Sequence, residues 1–215
     1  MITVRALQGT DLEAQLDAVA ALRIAVFREW PYLYEGTLVY ESQYLANYRD
    51  NPDALLIGAF DGEKLIGAST SARMEDHAGE FAAPFAVTGI PLTDMLYGAE
   101  SVLMPEYRGQ GLGHRFIDLR EDHARTLGRR MVAFCSVLRP DNHPRRPANA
   151  RNNDAFWHGR GYAPMPGVVA EFSWTDVGED YDSLKPLQFW SRTIEAVPAV
   201  QTVFGGGSSA ARLPT

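Results

Sequence analysis

The stretch from Tyr97 to Gly128 (YGAESVLMPEYRGQGLGHRFIDLREDHARTLG) constrains the fold more than any other part of the chain. It reads as a strand, a glycine-rich turn and an amphipathic helix. The turn is Arg108-Gly109-Gln110-Gly111-Leu112-Gly113. Glycines lack a Cβ, so the backbone can turn tightly and bring its N–H groups close to a bound group. The helix that follows adds unpaired N–H donors and the positive end of its dipole. Together they form an anion site of the kind that suits a pyrophosphate, with His114 in reach and Arg108 as a fixed charge beside it. The apolar run MVAFCSVL (Met131–Leu138) completes a strand–helix–strand unit of about 40 residues, a length that favours a parallel pair.

The rest of the chain supplies elements around this unit. Ile2, Val4 and Ala6 alternate with polar neighbours, which predicts a first strand. Leu12, Leu16, Val19, Arg23 and Val26 then follow helical spacing, and Pro31 closes that segment. Tyr40, Tyr44 and Tyr48 share one face of a second helix and read as core and edge packing. Asp61-Gly62 predicts a hairpin between ALLIGAF and the run from Lys64 to Ser71. Glu75 to Leu96 has no clear period and reads as a long loop. The following helix carries Leu112, Phe116, Leu119, His123 and Leu127 on one stripe. A short helix at Asn153–Arg160 and two late strands, Val168–Trp174 and Lys185–Arg192, complete the set. The apolar content of KPLQFWSR suggests a dimer contact. The expected organisation is one domain over residues 1–195, then an extension over 196–215 that is flexible from about 205.

The chain has 215 residues, 46% of them hydrophobic, enough for a full core. A net charge of −7 argues against general nucleic-acid binding, which needs a basic face. No apolar run approaches the roughly 20 residues that span a bilayer, and the N-terminus lacks signal-peptide features. The single cysteine, Cys135, excludes an internal disulfide and fits a reducing, cytoplasmic setting. His77, His123 and His158 show no metal-ligand spacing with one another or with Cys135, so no metal site is expected.

Two other glycine motifs fail. A P-loop would end in Gly-Lys-Ser/Thr, but His114 and Arg115 follow Gly113. The dinucleotide fingerprint finds Gly109 and Gly111 and lacks its third glycine at position 114. What remains is R-x-x-G-x-G after Pro105-Glu106-Tyr107. This resembles the coenzyme A-binding segment of the GCN5-related N-acetyltransferase (GNAT) family. The loop VFREWPYLYEG, GAESVL, RPDNHPRRPA and KPLQFWSR further resemble a bacterial GNAT subgroup whose substrate is unassigned. The resemblance implies an α/β fold: a mixed, mostly antiparallel twisted sheet with a central parallel strand pair, flanked by helices. It implies acyl-CoA-dependent N-acyltransfer, with acetyl-CoA as co-substrate and an amine of a small molecule or peptide as acceptor, by direct attack in a ternary complex.

By the same resemblance, Arg108, Gly109, Gln110, Gly111, Leu112, Gly113 and His114 would grip the pyrophosphate, while Val102, Leu103 and Met104 would pair with the pantetheine arm. A backbone N–H near Leu103 would steady the oxyanion. The family's usual acid is a tyrosine in Phe/Leu-Tyr-x-x-x-Gly, but here Trp157 stands in that place within FWHGRGY. Tyr162, His158 or water could replace it. That departure keeps open a non-catalytic acetyl-CoA sensor. A nucleotide-phosphate binder of another fold is a third reading. Glu100 is the leading base candidate, because a charge on a central strand is costly unless it faces a cleft. Glu41, Glu75 and Asp76 are alternatives. Trp30, Tyr32 and Tyr34 would line the acceptor site or pack over the sheet. His143, among Arg139, Arg145 and Arg146, would reach the acceptor or belong to a solvated basic loop. Cys135 reads as a small packed group.

Overall fold

Alternation at the N-terminus forms β1 (Ile2–Leu7), and the helical stripe after it forms α1 (Gly9–Phe27). Thr37 accepts a hydrogen bond from the Tyr40 N–H and so starts α2 (Leu38–Arg49). The Asp61–Gly62 turn joins β2 (Leu55–Asp61) to β3 (Lys64–Arg73), as its residues predict. There follow α3 (Ala78–Phe85), β4 (Met95–Leu103), α4 (Leu112–Thr126), β5 (Met131–Val137), α5 (Asp154–Gly159), β6 (Ala163–Thr175) and β7 (Asp182–Thr193). This computed structural model describes residues 1–195. The extension expected over 196–215 lies outside the described residues.

The seven strands make one sheet in the order β1-β2-β3-β4-β5-β7-β6. All neighbours run antiparallel except β4 and β5, the expected parallel pair. Strand alternation splits the two central strands between two core layers. Met95, Tyr97, Ala133 and Cys135 pack towards α3, while Leu96, Val132 and Phe134 pack with Ile117 of α4. Among the described residues no helix is long and apolar enough to cross a membrane.

Three expectations need correction. The segment from Glu75 to Leu96 is not one long loop. It holds α3, whose Phe81 and Phe85 lie one turn apart and are both buried. Eight residues are too few to show a period in the sequence. Next, α4 buries Phe116, Ile117, Arg120, Glu121 and Ala124, so its inner face is rotated from the stripe through Leu119 and His123. Finally, β7 is an interior strand between β5 and β6, with Leu187, Phe189 and Trp190 buried. Its apolar surface is used within the fold, which removes the basis for a dimer contact there.

Arg120 explains the rotation of α4. Its guanidinium lies flat beneath the sheet against Gly98 and donates to Ser69 Oγ, the Glu100 carbonyl and Ser101 Oγ at 2.6–2.9 Å. A Cβ on Gly98 would fall 2.5 Å from Arg120 Nη1. The guanidinium is held by three acceptors and cannot move aside without breaking bonds. Gly98→Ala should therefore lower stability by about 1–3 kcal/mol, read from denaturant unfolding.

Candidate functional site

The sheet carries a gap at its centre. β4 and β5 share only three residue pairs, Met95–Tyr97 with Met131–Ala133. Beyond them β4 stays bonded to β3 as far as Leu103, and β5 stays bonded to β7 as far as Val137. Each strand is held on its outer edge while the inner edges part. Met104 N–H donates to the Ile66 carbonyl at 2.9 Å. Backbone groups alternate sides along a strand, so Leu103 N–H points to the open edge. Val102 is buried beneath α1, and Met104 spends its N–H on β3. Of the three residues expected to meet a pantetheine arm, Leu103 is the one that offers its N–H to the gap.

The glycine turn sits at the end of that open edge. Gly109 and Gly111 have φ of 77° and 82°, a left-handed conformation that L side chains rarely adopt. Gly111 caps α4. Gly113 serves packing instead, because a Cβ there would lie 3.3 Å from the Phe156 ring. His114 packs against the same ring at 4.9 Å, and Leu112 is buried. Gln110 donates to the Glu106 carbonyl at 3.3 Å. Arg108 donates to the Leu103 carbonyl at 3.1 Å and pairs with Glu29 at 3.0 Å, which ties the turn to the strand end and to the loop after α1.

On the other side of the gap opens a cavity of about 580 Å³. Its walls come from α1, α2, α3, β4–β7 and the loop after α1. Glu100 enters it from β4, Cys135 from β5, Trp174 from β6, and Tyr32 and Tyr34 from the loop. Glu100 is more than nine-tenths buried. Its Oε2 accepts from Tyr44 at 2.9 Å, and Tyr44 touches the Tyr48 hydroxyl at 2.9 Å. Its Oε1 pairs with Arg23 Nη1, while Arg23 Nε donates to Glu41, which is wholly buried. One guanidinium thus serves two carboxylates and lies over the Tyr44 ring at 4.1 Å. Burial opposes the Arg23 charge, but Glu100, Tyr44 and Glu41 outweigh it and hold the cation above its ordinary range. Burial, then Glu100, pushes the Tyr44 hydroxyl well above the usual tyrosine range, so it remains a donor. Burial also pushes the Cys135 thiol up to about 12, with Tyr97 Oη 3.4 Å from its sulfur.

The loop holding Tyr32 and Tyr34 is fixed by a second buried charge cluster. Arg139 donates to the Pro31 and Tyr32 carbonyls and pairs with Asp176, which Lys185 also meets at 3.2 Å. Arg139 is therefore not part of a solvated loop. Trp30 and His143 pack on each other, with rings 5.2 Å apart, and neither lines the cavity. Tyr162 does not line it either. Its hydroxyl donates to Glu121 at 3.2 Å in the core, and burial raises it above the usual range. Glu75 pairs with Arg129, and Asp76 meets Arg73 and Asn51.

Arg23, Tyr44 and Tyr48 were missed as site residues. Arg23 was visible as a charge standing in an apolar helical stripe, which demands a buried partner. Glu41 and Tyr44 lie three residues apart on α2, the spacing that presents both to one neighbour.

These parts can hold an anion at the turn, an extended amide-rich chain along β4 and an acceptor beside Glu100. A family model of the acetyltransferase (GNAT) family matches residues 19–148, more than half of the chain. The chain belongs to this family. The fold is shared by yncA of Salmonella typhimurium, solved with acetyl-CoA (12% identity, TM-score 0.57, covering 92% of this chain and 96% of that one). It is shared by an acetyltransferase of Acinetobacter baylyi (12%, TM-score 0.60, 91% and 94%). It is also shared by the paia N-acetyltransferase of Thermoplasma acidophilum, solved with coenzyme A (14%, TM-score 0.54, 90% and 99%). No curated protein matches the sequence.

Removing Arg23 would strand two buried carboxylates. Arg23→Leu should cost about 3–5 kcal/mol in denaturant unfolding, whereas Asp11→Ala, in an exposed pair with Arg5, should change little. Cys135, with its thiol pushed up to about 12, should react slowly with iodoacetamide in mildly alkaline buffer and quickly once urea unfolds the chain.

Proposed function

We propose that this GNAT acetyltransferase moves an acetyl group from acetyl-CoA to a primary amine by direct attack. The observation that carries the reading is the meeting, in one gap, of the free edge at Leu103, the glycine turn and Glu100 opening into a half-enclosed cavity. The turn over Arg108–His114 fits a pyrophosphate, with first-turn N–H groups of α4 and two glycines in the conformation such a cradle requires. The open edge of β4 fits an arm built of amides. Bound acetyl-CoA would supply an activated acyl carbon, with a thiol as leaving group.

Glu100, which lines the cavity, would take a proton from the incoming amine, directly or through one water. The nitrogen bonds to the carbonyl carbon, the C–S bond breaks, and sulfur leaves with the electron pair. Leu103 N–H is the donor for the developing oxyanion, a role worth about 2.7–4 kcal/mol. A thiol ionises near pKa 8.5, so its departure does not require a dedicated acid. Trp157 in place of a tyrosine is therefore compatible with turnover, though it is also the feature a non-catalytic acetyl-CoA sensor would have.

Free thiol should appear when protein, acetyl-CoA and a panel of primary amines are mixed. Glu100→Gln should lower kcat by about a hundred- to ten-thousand-fold while coenzyme A still binds. Gly111→Val should weaken coenzyme A binding in calorimetry, since a β-branched residue resists φ near 82°. Tight binding with no thiol release for any amine would favour the sensor. No binding at all would overturn both readings.

A further inference from the structure

The charges around the cavity do not balance. Its lining includes the carboxylates of Glu35, Glu80, Glu100 and Asp182, against Arg23 and His77. Arg23 is divided between Glu100 and Glu41 behind it, and Glu100 Oε1 accepts no hydrogen bond beyond that ion pair. Glu35 is matched by Arg28 from outside. Glu80 and Asp182 remain at the exposed, outer part, with His77 3.4 Å from Glu80. Between the deep carboxylate and the outer pair the walls are aromatic: Tyr32, Tyr34, Tyr40, Tyr44, Tyr97 and Trp174. Burial is the main cause that raises the Cys135 thiol on the floor and the Tyr40 hydroxyl on the rim, and the charge of Glu80 adds a small push in the same direction to each. Ring faces attract cations, and a half-enclosed site strengthens both this and ion pairing.

We infer that the acceptor is a diamine or longer polyamine, with its reacting nitrogen at Glu100 and a second, still-protonated nitrogen held by Glu80 and Asp182 against the aromatic walls. This rests on the amine-acetylation reading and narrows its substrate. A carboxylate-bearing acceptor is disfavoured because the cation it would need is already shared by two glutamates. A neutral aromatic amine would suit the walls and leave the outer carboxylates without a role.

Steady-state acetylation of pentylamine, cadaverine and phenethylamine separates these cases. The diamine should exceed pentylamine in kcat/KM by about tenfold, the combined worth of one ion pair and one ring contact. That ratio should shrink as salt is added. In the double variant Glu80→Gln, Asp182→Asn it should fall towards one, a change that loss of packing alone would not produce. Equal use of pentylamine and cadaverine, or preference for phenethylamine, overturns this inference and leaves amine acetylation standing. No turnover of any of the three, with coenzyme A bound, overturns both.

Discussion

After Tyr97 and Ala133 the two parallel strands stop sharing hydrogen bonds, and the rest of the molecule is arranged around that parting. A sheet normally satisfies every interior backbone group, so an open inner edge is costly unless something else pairs with it. Here the outer edges are laddered, apart from one bulge, and this holds β4 and β5 apart. Arg120 reinforces this from below. It fits only because position 98 lacks a Cβ, and it binds the Glu100 carbonyl and the hydroxyls of Ser69 and Ser101. The register between β3 and β4 shifts between Thr70 and Ser71, leaving Ala99 unpaired opposite it. Such a bulge twists the strand and re-aims the side chains beside it. Both Ala99 and Glu100 line the cavity.

The cavity walls are joined by buried charge rather than by apolar contact alone. Arg23 connects α1, α2 and β4 through two glutamates. Arg139, Asp176 and Lys185 connect the loop after α1 to β5, β6 and β7. Desolvation offsets most of what such pairs gain by attraction, so their number is poor evidence of stability. What they supply is geometry: a misplaced wall would leave a buried charge alone, a state costing several kcal/mol. Wrong packings of the aromatic loop are thereby disfavoured even though rings tolerate many arrangements. The position of Tyr32 is set by Arg139 gripping the Pro31 and Tyr32 carbonyls, and that of Tyr34 by its N–H donating to the Phe27 carbonyl at 2.8 Å.

The sequence made the scaffold readable because its signals are local. A glycine-rich turn before an amphipathic helix, an Asp-Gly hairpin and apolar strand runs each act within a few residues. The left-handed glycine turn and the charge that Glu100 places on a central strand were legible for the same reason. The cavity beside Glu100 was only partly so, because its partners lie far apart along the chain. Arg139 meets carbonyls 108 and 107 residues away, and nothing in RPDNHPRRPA distinguishes a buried arginine from solvated ones. Tyr162 failed as an acid candidate for a related reason. Its place in the FWHGRGY frame says nothing of Glu121, 41 residues earlier, which claims its hydroxyl. Arg23 was the more readable case, since a charge within an apolar stripe is an anomaly that asks for a counter-charge.

The choice between a working enzyme and a sensor turns on what each would have to preserve. A sensor needs the cradle and the open edge, and nothing on the far side of the gap. It gains little from keeping Glu100 buried beside an arginine, since a buried carboxylate is costly to maintain. It gains as little from a half-enclosed aromatic space with surplus negative charge. An enzyme needs both, to hold a cation at the acyl carbon and to receive its proton. A tryptophan at position 157, where the resemblance would put a tyrosine, would cost the proposed chemistry only a convenience, because a thiol departs readily on its own. In the proposed reaction the carboxylate and its cavity would answer the harder requirement, which is to make a protonated amine nucleophilic at neutral pH.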